Sequence, residues 1–80
     1  MDELDKRLAK VFDKAKEIAT FKSNVYQDLW KRLDTDIIMS TIKLKIERAS
    51  VCTDREKKID DLIDVINYTA FLIARLTTDT

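Results

Sequence analysis

Apolar residues recur along this chain with a helical period rather than the strict alternation of a strand. Leu4, Leu8, Val11, Phe12, Ala15, Ile18 and Ala19 share one face at about 100° per residue, which predicts an amphipathic helix over residues 2–20. Asp13 and Glu17 fall nearly opposite that stripe and are expected at the surface, facing away from any site. The polar stretch 20–24 breaks the pattern, after which Val25, Tyr26, Leu29, Trp30 and Leu33 predict a second, shorter helix with an aromatic-rich face. Asp34 or Thr35 can cap a third helix over about 36–50, with Ile38, Ile42, Ile46 and Ala49 turned to the core. Its β-branched residues would also suit a strand, but alternation holds only from Ile42 to Ile46, whereas the helical spacing spans the segment.

Thr53-Asp54-Arg55-Glu56 has the spacing of a capping box and predicts a last helix running to about Leu76. Its apolar face, from Ile59, Leu62, Ile63, Val65 and Ile66 through Ala70, Leu72, Ile73 and Leu76, is too wide for a single neighbouring helix. The expectation is therefore an all-α protein, a small bundle of three to four helices completed by oligomerisation. The chain shows no internal repeat or linker, so residues 1–80 form one domain. The last helix and the aromatic second helix are expected to make most of the subunit interface, with Tyr26 and Trp30 packed mainly as core.

Composition sharpens this picture. The chain has no Gly, no Pro and no His, with 38% charged and 45% apolar residues, a balance that favours helices and disfavours strands. At 80 residues a monomeric core is marginal, which again points to a homo-oligomer. Fifteen basic and fifteen acidic side chains cancel, so no global field attracts nucleic acid or an acidic membrane. No apolar run approaches the roughly 18 residues that span a bilayer, and Met1-Asp2-Glu3 lacks the basic start of a signal peptide, so a cytoplasmic location is expected. One cysteine, Cys52, excludes an internal disulfide, and the lack of His excludes His-based triads and the usual zinc sites. Any metal would need oxygen ligands, which suit Mg²⁺ or Mn²⁺.

Chemistry enters at Asp60-Asp61-Leu62-Ile63-Asp64-Val65-Ile66-Asn67-Tyr68, where three acids and an amide interrupt an apolar helix. Asp60, Asp64 and Asn67 fall within roughly 60° of one another on the wheel, close to Phe71, with Asp61 on the other side of Asp64. Like charges at this spacing repel unless a cation, a basic side chain or solvent offsets them. Lys45 and Arg48 lean toward the core side of the third helix. They would either pair with those acids or clamp a phosphate, Arg48 through its planar fork and Lys45 as a point charge. The acids are candidate metal ligands or a solvated face, and Asn67 needs a polar partner.

The blocks Asn24-Val25-Tyr26-Gln27-Asp28-Leu29-Trp30, Lys45-Ile46-Glu47-Arg48 and Asp60 to Tyr68-Thr69-Ala70 resemble, in order, motifs of the MazG-like, nucleotide-modification-associated proteins of phages and bacteria. The resemblance covers about residues 22–74. It implies an all-α fold related to nucleotide pyrophosphohydrolases, which hold Mg²⁺ on helix-borne acids and cleave nucleoside triphosphates between the α and β phosphates. On that basis Asp60, Asp61 and Asp64 would hold the metal, Lys45 and Arg48 the phosphates, and Asn67, Tyr68 and Tyr26 would contact the nucleotide. Gln27 stands where the family has Gly, and the earlier E-x-x-E pair of the active enzymes is not evident. The competing expectation is a non-catalytic helical oligomerisation or interaction module.

Overall fold

The computed structural model describes residues 2–22 and 32–78. They form three helices, α1 (Asp2–Phe21), α2 (Thr35–Val51) and α3 (Arg55–Thr78), with no strand among the described residues. The proposed aromatic helix, with Tyr26 and Trp30, lies outside them.

Each helix starts where local chemistry favours it. Asp2, Glu3 and Asp5 place negative charge on the exposed amides of the first turn of α1. Asp34 caps α2, its carboxylate accepting from the Asp36 amide at 3.2 Å. The α2–α3 connection is made by Cys52, Thr53 and Asp54 without any positive φ among the described residues, Cys52 taking an extended conformation that stops α2. Asp54, rather than the expected Thr53, caps α3: its carboxylate accepts from the Glu56 amide at 3.0 Å and the Lys57 amide at 3.4 Å. The aspartate wins because one of its carboxylate oxygens, Oδ1, reaches both amides, whereas the hydroxyl of a threonine one residue earlier would lie a step outside the turn.

So short a connection makes α2 and α3 antiparallel neighbours. Ile38 and Ile42 of α2 and Leu72 of α3 are buried together, and Leu33, Val65 and Tyr68 pack around them. The α3 face that meets α2 follows the spacing Asp61, Val65, Tyr68, Leu72, Arg75, so that it is apolar in the middle and charged at both ends. At one end Arg75 donates to the Leu33 carbonyl. At the other, Asp61 is 7% exposed and meets the basic side chains of α2.

α1 is held more lightly. Ala15 is its buried residue, and Ile18 and Ala19 are half-buried, while Leu4, Leu8, Val11 and Phe12 are exposed. The expected core was therefore too broad. Ile46 of α2 and Ile59, Leu62, Ala70, Ile73 and Leu76 of α3 are also exposed, because the described helices do not surround α3. No helix among the described residues is long and apolar enough to cross a membrane.

Candidate functional site: a charged cleft between three helices

The α2 stripe that packs on α3 runs Ile38, Ile42, Lys45, Ala49, so Lys45 occupies a core-facing position one turn beyond the apolar cluster. Its aliphatic stem lies along the interface and its ammonium reaches the acids of α3. Lys45 Nζ donates to Asp64 Oδ2 at 3.0 Å and stands 3.9 Å from Asp61 Oδ1. Arg48 Nη2 lies 3.6 Å from the same Asp61 oxygen, and Lys22, at the end of α1, places Nζ 3.8 Å from Asp64 Oδ1. The repulsion expected between neighbouring acids is thus offset by cations from two other helices. Of the two roles open to Lys45 and Arg48 from the sequence, pairing with the acids is the one observed.

Asp60 takes a different environment. It is exposed and lines, with Asp64, a cavity of about 340 Å³ whose other walls come from Glu17, Ile18, Phe21 and Lys22 of the α1 end. The cleft therefore lies between the α1 end and α3, and Lys45 of α2 borders it through its bond to Asp64. Glu17 is exposed as expected, yet it reaches the rim of this cavity, since its long side chain can lean over the edge of an open recess. Lys22 was not singled out from the sequence. The signal was present, because Lys22 continues the Leu8, Val11, Ala15, Ile18 stripe at the position of the next apolar residue.

The remaining expected site residues are divided. Asn67 is buried, and its amide donates to the Ala15 carbonyl at 3.1 Å, so α1 supplies the partner that a polar group at an apolar boundary requires. Tyr68 is half-buried against the Ile38–Ile42–Leu72 cluster and meets the Phe71 ring edge-on, with centroids 6.2 Å apart. Tyr26 lies outside the described residues.

Among the described residues, no three acids converge closely enough to hold a metal ion. The Lys45 ammonium lies close to Asp61 and Asp64 and already supplies these carboxylates with a cation. The cleft can hold polar, charge-bearing ligands beside Lys22, whose side chain is 44% exposed, while the Arg48 side chain, 60% exposed, stands on the α2 side of Asp61.

In comparisons with known proteins, no family model matches the chain, and neither a curated protein nor a solved structure matches it.

Proposed function

We propose that this chain is a nucleotide-binding helical protein of the MazG-like kind, which takes up a nucleoside triphosphate together with the triphosphate's own divalent counter-ion. One observation carries the proposal. Two blocks far apart in sequence, Lys45 with Arg48 and Asp60 to Asp64, meet across α2 and α3 beside a cavity that also receives Glu17 and Lys22 from α1.

Charge decides the form of the ligand. The cluster brings four acids, Glu17, Asp60, Asp61 and Asp64, against three bases, Lys22, Lys45 and Arg48. A bare triphosphate would meet no net positive charge, whereas one carrying a divalent ion presents both signs. Lys22 in the cavity wall and Arg48 beside Asp61 are suited to phosphate oxygens, and Asp60 and Glu17 to the accompanying cation. Lys45 is a positioning residue, since it holds Asp61 and Asp64 in place from beneath. The pairing of those acids with Lys45 supports no hydrolytic step.

Isothermal titration calorimetry with nucleoside triphosphates, with and without Mg²⁺ or Mn²⁺, tests this. Wild-type protein is expected to bind only in the presence of the ion, and Asp60→Asn and Arg48→Ala should each weaken binding about tenfold or more with circular dichroism unchanged. Failure of every triphosphate to bind, with or without the ion, would falsify the proposal. The non-catalytic interaction module would then be favoured, and it already draws support from one observation: the inner acids are paired within the chain itself.

A further inference from the structure

The stretches of α1 on either side of Ala15 line two different recesses. Glu17, Ile18, Phe21 and Lys22 face the charged cleft, whereas Lys10, Val11 and Lys14 form one wall of a groove whose other wall is Ile59, Leu62 and Ile66 of α3. This second groove, of about 360 Å³, has apolar walls and two lysines at its rim. It takes no part in the nucleotide proposal.

We infer that the groove is filled by the first half of α1 from a second copy of this chain, in an antiparallel, two-fold-related pair. Three observations select this occupant. The first is shape and hydrophobicity: Leu4 is 62% exposed and Leu8 and Val11 are each 42% exposed, on one stripe of a helix whose buried residue is Ala15. Leucines displayed at helical spacing match a groove lined by Ile59 and Leu62, themselves 48% and 44% exposed. The second is charge. The first turn of α1 carries Asp2, Glu3 and Asp5, and the groove rim carries Lys10 and Lys14. Aligning two α1 helices antiparallel about Ala9 and Lys10 sets Leu8 beside the partner subunit's Val11 and Asp5 opposite the partner subunit's Lys14. Because the contact is isologous, each such pair forms twice.

The third observation is area. The chain exposes 6415 Å², of which the about 800 Å² that each partner buries in a standard interface is a modest share, and Leu4, Leu8, Val11, Phe12, Ile59 and Leu62 are exposed apolar residues that could supply part of it. With zero formal net charge, two copies meet no long-range repulsion.

Size-exclusion chromatography with light scattering, and sedimentation across a concentration series, test the pair. The full chain is expected to be dimeric at about 100 µM, with Leu8→Glu raising the dissociation constant about a hundredfold or more and leaving the helical circular dichroism intact. Lys14→Glu should weaken the dimer about tenfold, and adding Asp5→Lys to it should restore most of that loss by exchanging the two charges. A monomer at all concentrations overturns the inference. So does a dimer indifferent to Leu8→Glu, or a double variant no tighter than Lys14→Glu alone, since either places the interface elsewhere. Nucleotide binding is read separately, so the two proposals can fail independently.

Discussion

Asp60, Asp61 and Asp64 are one residue type within five positions, yet the fold gives them three different surroundings. Asp61 continues the stripe of α3 that meets α2 and is buried, Asp64 sits between Lys45 and Lys22, and Asp60 opens onto the cleft. A helical wheel separates these positions by angle, but it does not show which neighbouring helix arrives at which angle. That is why the sequence showed the acid cluster, its basic counterpart and pairing as one of their two roles, but not which base meets which acid. The surroundings predict unequal roles in stability. Lys45→Met removes the 3.0 Å partner of Asp64 and the more buried of the two cations beside Asp61, and should cost about 2 to 3 kcal/mol, below the full penalty for a wholly buried pair because Arg48 and Lys22 remain nearby. Asp60→Asn, at an exposed position, should change stability by about 0.5 kcal/mol or less. Urea denaturation of the two variants at equal concentration checks the contrast, and equal losses would contradict the burial argument.

At the scale of elements, the three described helices follow the periodicity of the sequence closely, because chain without Gly or Pro offers little to interrupt a helix once started. Starts were less legible than spans. Thr53 and Asp54 are adjacent and both are good caps, and the choice between them depends on where the extended Cys52 points the chain, which no local motif encodes. The structure predicts that Asp54→Ala lowers stability by about 1 kcal/mol, through loss of the bonds to the Glu56 and Lys57 amides, whereas Thr53→Ala has a smaller effect. Thermal melts of the pair would reverse that order if the threonine were the true cap. Burial was the least legible property at this scale. An apolar stripe says that a face prefers to be covered, not that its own chain covers it, and Leu62 and Ile73 obey the period while remaining exposed.

For the molecule as a whole, α2 and α3 share the Ile38–Ile42–Leu72 core, and α1 is joined to them around Ala15. Cohesion should therefore differ between the parts. Hydrogen exchange is expected to show the amides of Ile42 and Leu72 opening only with global unfolding, and those from Leu8 to Phe12 opening at much lower free energy. Protection of the latter should rise with protein concentration if a second copy covers them, while protection of Ile42 and Leu72 should rise no more than global stability does. Uniform protection along all three helices at low concentration would show that α1 is an equal member of the core. An all-helical protein was readable from composition and period alone. How many faces a second molecule must cover was not, because that depends on the angle at which α1 crosses the other two helices.

The hydrogen bond from Asn67 to the Ala15 carbonyl and the Lys22–Asp64 pair hold the second half of α1, which leaves its first half as an arm. From Ala15 to Leu4 the arm is about 16 Å long, so a tilt of only about 10° carries Leu4 through about 3 Å, close to half the spacing between successive helical turns. A grip on the leucine end would then bear, through the Ala15 contact and the Lys22–Asp64 pair, on the width of the cleft where Asp60 and Asp64 stand.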